Sequence, residues 1–100
     1  MAETPKIFSP EEIEEGLKGL GEEWMVESDK VLSKVFEFDN FKEALKFVNK
    51  VGEIAESANH HPDIHIFDYK KVSIELTTHD ADGITEKDFE VAAEIESVAQ

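Results

Sequence analysis

Three stretches of the chain repeat apolar residues every three or four positions, which is the spacing of an amphipathic helix. The first follows Ser9-Pro10 and stops near Gly21, the second covers about residues 41–58, and the third begins at Thr85. Each start has a polar residue followed three positions later by an acid, as in a helix cap: Ser9 and Glu12, Asn40 and Glu43, Thr85 and Asp88. The pattern therefore predicts three helices with defined starts.

Between these helices apolar and polar residues alternate one by one, which is typical of strands. Residues 24–27 and 31–38 flank a turn-forming Ser-Asp-Lys tripeptide, and a second pair of strands follows Pro62 on either side of the tripeptide at 69–71. The order is thus α-β-β-α-β-β-α. Hairpins separated by helices favour an α+β two-layer sandwich, with a four-stranded antiparallel sheet and helices on one face. Residues 1–100 are expected to form a single domain.

The charge balance excludes several classes of function. The chain has 24 acidic residues against 10 lysines and no arginine, for a net charge of -14. Such a chain repels phosphate backbones and anionic lipid, so we expect no direct contact with nucleic acid or membrane. The absence of cysteine excludes disulfides and thiolate chemistry. No signal-peptide-like start and no run of ~18 apolar residues occurs, so a cytoplasmic location is expected.

All four histidines lie between positions 60 and 79. Because the unperturbed pKa of histidine is about 6.5, such a cluster suits proton transfer near neutral pH. His60 and His61 lie in a predicted helix-to-strand loop, and His79 follows the fourth predicted strand, so all three can meet at one edge of the sheet. His65 alternates with apolar strand residues, and we expect it to serve sheet packing or an interface.

Two carboxylates accompany the histidines, and each also has an ordinary explanation. Glu56 lies one helical turn before His60 and could be a solvated helix acid, whereas Asp88 could be only a capping acid. Three histidines can bind zinc, but side chains of adjacent histidines diverge and no HExxH spacing is present. We therefore predict no metal site.

The spacing from residue 56 to residue 88 resembles the signature of pterin-4a-carbinolamine dehydratases. That signature is an acid, three positions, His-His-Pro, six positions, an aromatic residue, nine positions, His, eight positions, Asp. The matching residues are Glu56, His60, His61, Pro62, Tyr69, His79 and Asp88. The resemblance continues through Ser9-Pro10-Glu11-Glu12, Trp24 and the Phe36-x-Phe38 strand, and so covers most of the chain.

This resemblance implies a subunit that dehydrates 4a-hydroxytetrahydropterin to quinonoid dihydropterin, with no metal or organic cofactor. The reaction recycles tetrahydrobiopterin spent by aromatic amino acid hydroxylases. The implied site has three catalytic histidines, two supporting carboxylates and one flat pocket wall: His60, His61 and His79, then Glu56 and Asp88, then Trp24. His60 and His79 would transfer protons, and His61 would hold the substrate by hydrogen bonds.

The resemblance also implies a homodimer or homotetramer, and apolar residues on both faces of the strand at 31–38 agree with assembly. Animal members additionally serve as dimerisation cofactors for a homeodomain transcription factor. A non-enzymatic interaction module therefore stays open as an alternative, as does a paralogue with another substrate. A direct dehydration assay separates these alternatives.

Overall fold

The computed structural model describes residues 6–21 and 23–99. The elements of this part are α1 (Pro10–Leu20), β1 (Met25–Glu27), β2 (Val31–Glu37), α2 (Phe41–Ala58), β3 (Asp63–Phe67), β4 (Lys71–Leu76) and α3 (Glu86–Val98). The strands form one antiparallel sheet in the order β1-β2-β4-β3. The predicted element order and the α+β class are confirmed. In the structure β1 starts at Met25, one residue later than predicted, and β2 ends at Glu37, one residue earlier than predicted.

One face of the sheet forms the core with the helices. Alternate residues of the paired strands point to this face, as the pairs Leu32–Leu76 and Ile64–Ile74 illustrate. Apolar residues of all three helices pack against them. The buried apolar helix residues are Ile13 and Leu20 of α1, Ala44, Phe47, Val51 and Ala55 of α2, and Val91, Ala92 and Ile95 of α3. Burial of this apolar surface accounts for the two-layer arrangement.

The other face of the sheet is left uncovered by the described helices. Met25, Val35 and Phe67 are exposed there. His65 pairs with Ser73 in the same outward register and is exposed. This agrees with the strand parity expected for His65, and its place in an interface stays a prediction.

The topology brings several element ends together at one end of the sheet. β3 begins and β4 ends there, because the two strands are antiparallel neighbours. The turn between β1 and β2 reaches the same end, where Lys30 forms an ion pair with Asp82 (3.1 Å) in the loop after β4. The carboxyl end of α2 and the start of α3 lie at the same end of the sheet, because His60, just after α2, contacts Asp88 in the first turn of α3. No helix in the described part is long and apolar enough to cross a membrane.

Candidate active site

A cavity of about 310 Å³ opens at this end of the sheet. It is lined by Asn59, His60, His61, Thr77, Thr78, His79, Asp80 and Lys87. The three histidines that the sequence assigned to catalysis thus share one cavity. Its volume lies at the lower end of the range for small-molecule pockets.

The end of α2 determines where His60 and His61 lie. Asn59 adopts the left-handed conformation (φ 51°, ψ 43°), which asparagine tolerates better than most residues. The His60 amide donates to the Ala55 carbonyl oxygen (3.1 Å), and the Asn59 amide donates to that of Glu56 (3.3 Å). This is a Schellman ending, which turns the chain sharply out of the helix. The histidine pair therefore projects from a fixed turn.

His79 is carried by a short loop that is closed at its base. The amide of Thr78 donates to the Gly83 carbonyl oxygen (2.9 Å), and the Gly83 amide donates back (3.4 Å). Within the loop, the Asp82 amide donates to the His79 carbonyl oxygen (3.1 Å). The side chain of His79 is exposed on the cavity wall. Backbone hydrogen bonds thus fix the loop that carries His79 to the cavity.

His60 is held by a buried carboxylate. Its Nε2 lies 2.6 Å from Oδ1 of Asp88, a residue with no exposed surface. The other oxygen of Asp88, Oδ2, accepts hydrogen bonds from the Thr78 hydroxyl (2.8 Å) and the Thr85 amide (2.9 Å). The Thr85 contact is the predicted helix cap, so one carboxylate both caps α3 and orients His60.

His61 has a carboxylate partner of a different kind. Its Nε2 lies 2.5 Å from Oε2 of Glu56, one turn back on α2. Both side chains are largely exposed, with 55% and 79% of their surfaces open to solvent. His61 lines the cavity and Glu56 does not, and the pair is open to solvent.

The arrangement can give and take protons at more than one point. An ionised carboxylate only accepts hydrogen bonds, so His60 donates from Nε2, and in its neutral form it keeps Nδ1 as an acceptor. His79 has no carboxylate partner in the described ranges, which leaves both ring nitrogens open to a ligand. Residues 6–21 and 23–99 contain no cluster of three or more His, Asp or Glu side chains arranged to hold a metal ion.

Trp24 lies outside this cavity. It is buried (6% exposed), packs edge-on against Phe36, and donates from Nε1 to Oε1 of Glu96 (2.7 Å). Its ring is taken up by core contacts on the helix side of the sheet, and a role for Trp24 in substrate binding stays a prediction. Tyr69 is exposed in the β3–β4 turn, at the opposite end of the sheet.

Sequence reasoning missed Thr78, although a signal for it was present. The buried residues of β4 are Val72, Ile74 and Leu76, and the same alternation places residue 78 inward. Thr78 is indeed buried (5% exposed) and contacts Asp88. The apolar alternation itself stops at Leu76, so the pattern alone does not connect the Thr78 hydroxyl with the site. Lys87 and Asp80 carry no comparable signal.

Comparison with known proteins decides the family. Residues 6–98 match the family model described as pterin 4 alpha carbinolamine dehydratase. The chain belongs to this family. A relative from Gloeobacter violaceus, provisionally named as a pterin-4-alpha-carbinolamine dehydratase, is 51% identical over 86% of this chain and 95% of its own length. A relative from Sulfurisphaera tokodaii with a similar provisional name is 46% identical over 93% of this chain and 97% of its own length.

Solved structures agree with the fold. A protein from Brucella melitensis, described as a transcriptional coactivator/pterin dehydratase, superposes with a TM-score of 0.88 at 27% identity and covers 95% of this chain and 100% of its own. A pterin dehydratase-like protein described as a RuBisCO assembly factor of the alpha-carboxysome gives a TM-score of 0.67 at 22% identity, over 80% of this chain and 93% of its own. The second likeness concerns the fold alone.

Proposed function

We propose that this chain catalyses the loss of water from 4a-hydroxytetrahydropterin to give quinonoid dihydropterin. The observation that carries the proposal is the convergence of His60, His61 and His79 on one cavity, with one of them held by a buried carboxylate. Membership of the pterin dehydratase family supports the substrate class. In this proposal the reaction recycles tetrahydrobiopterin.

The proposed chemistry needs two proton transfers. The hydroxyl on C4a must gain a proton to leave as water, and the proton on N5 must be removed. We assign these transfers to His60 and His79, which both line the cavity, one from the loop after α2 and the other from the loop after β4. His60 suits the role of base, because Asp88 occupies its Nε2 and stabilises the imidazolium that forms. No metal or organic cofactor enters this scheme.

The remaining lining residues would bind the pterin. Asn59, Thr77, Asp80 and Lys87 present both donors and acceptors, as the amide and amine edge of a pterin ring requires. His61, which lines the cavity and contacts Glu56, is proposed to hold the substrate by a hydrogen bond. Specific orientation by several polar groups brings the C4a hydroxyl within reach of the transferring histidines.

The proposal is tested by alanine substitution of the two transferring histidines. His60→Ala and His79→Ala should each lower kcat for pterin dehydration about a hundredfold, since a general acid or base contributes roughly 10²–10⁴-fold. The assay follows the formation of quinonoid dihydropterin from freshly generated 4a-hydroxytetrahydropterin. His65→Ala is the matched control, because this histidine lies on the uncovered sheet face away from the cavity, and it should stay within about twofold of wild type. Activity within about twofold in both cavity variants would remove the role assignment.

The same assay separates catalysis from a purely binding role. The Brucella melitensis protein is described both as a coactivator and as a pterin dehydratase, so an interaction module is the second candidate. An unaltered chain that does not accelerate dehydration would favour that candidate or a different substrate. We also propose a homodimer or homotetramer in the cytoplasm, for which the exposed apolar residues Met25, Val35 and Phe67 offer contact surface. Analytical ultracentrifugation measures the assembly.

A further inference from the structure

Thr78 touches both halves of the candidate site. Its hydroxyl lies 2.8 Å from Oδ2 of Asp88 and 2.8 Å from Oγ1 of Thr85. Its backbone pairs with Gly83 and closes the loop that carries His79. This one buried residue therefore contacts the carboxylate behind His60 and also supports the base of the His79 loop.

The direction of the hydrogen bonds around Thr78 follows from the available protons. The Asp88 carboxylate only accepts, so the single hydroxyl proton of Thr78 goes to Asp88. The Thr85 hydroxyl must then donate to Thr78, and its oxygen accepts from the Lys87 amide (3.2 Å). In this series of hydrogen bonds every donor is directed towards the Asp88 carboxylate, and hydrogen bonds aligned in this way polarise one another.

This network determines which oxygen of Asp88 meets His60. Oδ2 is occupied by the Thr78 hydroxyl and the Thr85 amide, which leaves Oδ1 for the imidazole. The carboxylate plane is thereby fixed, and so are the ring orientation of His60 and the proton on its Nε2. Without the hydroxyl, Oδ2 keeps only the amide as a partner and the carboxylate can rotate.

We propose that Thr78 is a positioning residue whose hydroxyl, acting through Asp88, fixes the orientation and tautomer of His60 in the cavity. The catalytic consequence rests on the proposed dehydratase function, whereas the effect on the tautomer does not. The residue acts at a distance, since Asp88 stands between it and the imidazole.

The test replaces the hydroxyl and keeps the shape. In Thr78→Val, kcat for dehydration should fall about tenfold with KM within about twofold, because the substrate still binds but the proton acceptor is misaligned. The ring ¹⁵N signals of His60 should change from an Nε2-protonated pattern to an average of both tautomers. Thr78→Ser retains the hydroxyl and should restore both readouts to within about twofold of wild type.

A distant core variant controls for stability alone. Phe36→Leu alters a buried contact with Phe47 and Trp24 and touches no member of the Asp88 network. It should lower the urea midpoint while leaving the His60 ¹⁵N pattern and kcat unchanged. A tautomer change in Phe36→Leu as large as that in Thr78→Val would overturn the proposal.

Two further outcomes would overturn the proposal for Thr78. An Nε2-protonated His60 in folded Thr78→Val overturns the proposal whatever the activity, as does an equal loss of kcat in the Ser and Val variants.

If Thr78→Val does not fold, the exchange rate of the Thr78 hydroxyl proton in the unaltered chain tests the proposal instead. Slow exchange and a through-space contact to the Asp88 methylene support the proposal, whereas rapid exchange overturns it. A chain without dehydratase activity contradicts the proposed function, and the ¹⁵N measurement still tests Thr78.

Discussion

Two histidine–carboxylate pairs stand side by side in the candidate site, and their surroundings differ sharply. The inner pair is His60 with Asp88, and the outer pair is His61 with Glu56. Their N···O distances are nearly equal, at 2.6 Å and 2.5 Å. The side chains of the inner pair are 12% and 0% exposed, whereas those of the outer pair are 55% and 79% exposed. Distance alone therefore does not separate the two pairs, but burial does.

The difference teaches that a histidine–carboxylate pair can organise a site from its buried side or lie exposed to solvent beside it. The inner pair joins residues 28 positions apart, and its carboxylate also contacts Thr78 and the start of α3. Water cannot replace these partners, so each lost contact leaves a buried group unsatisfied. The outer pair joins residues five positions apart at one helix end, where water competes for both partners. Pre-organisation of a proton acceptor is thus a property of the inner pair.

Asp88→Asn is the change that should break the inner pair most completely. Three donors converge on the carboxylate, and an amide replaces one acceptor oxygen by a donating NH₂ group. We expect the free energy of unfolding to fall by about 2 kcal/mol and kcat for pterin dehydration to fall about a hundredfold. Urea denaturation and the dehydration assay measure the two effects.

Asp63→Asn makes the same chemical change at an exposed position of β3 and serves as the control. It should alter the free energy of unfolding by less than about 0.5 kcal/mol. If Asp88→Asn and Asp63→Asn proved equally mild, the hydrogen-bond network around Asp88 would not organise the site.

Glu56→Gln should show how little the outer pair contributes. The glutamine keeps the side-chain length and an acceptor oxygen but loses the charge, and the pair is open to solvent. We expect a change of less than about 0.5 kcal/mol in the free energy of unfolding, and at most about a threefold fall in kcat/KM. The same two measurements apply. A loss comparable to that of Asp88→Asn would show that burial does not rank the two pairs.

Capping patterns and strand alternation made most of the fold predictable from the sequence. The caps at Ser9 and Thr85 form as expected, and the alternation around β4 gives the buried face of the sheet. Asp88 is the instructive residue. The sequence pattern offers capping and support of a histidine as alternatives for this residue, whereas in the structure one carboxylate oxygen caps α3 and the other contacts His60. A spacing pattern cannot show that one side chain serves two partners.

The parts of the site that the sequence did not predict depend on tertiary packing. Thr78 acquires its importance only because α3 starts beside the end of β4. Trp24 shows that a family pattern carries no information about the direction of a ring, because the residue does not line the cavity. Met25, the neighbour of Trp24, lies opposite Ser33, at the end of β1 away from the turn that follows Glu27. The Trp24 ring packs against Phe36, and its indole nitrogen donates a hydrogen bond to Glu96.

Trp24→Phe should have the smallest effect on catalysis and so sharpens the contrast with the inner pair. A smaller aromatic ring remains in the core and the hydrogen bond from Nε1 to Glu96 is lost, although Lys34 still contacts the same carboxylate at 2.8 Å. We expect the free energy of unfolding to fall by about 1 kcal/mol, with kcat and KM within about twofold of wild type. A tenfold rise in KM at unchanged stability would instead return Trp24 to the pterin pocket. The expected outcome would show that a large aromatic side chain can match the family pattern and still act through the core alone, whereas the small hydroxyl of Thr78 acts on the site.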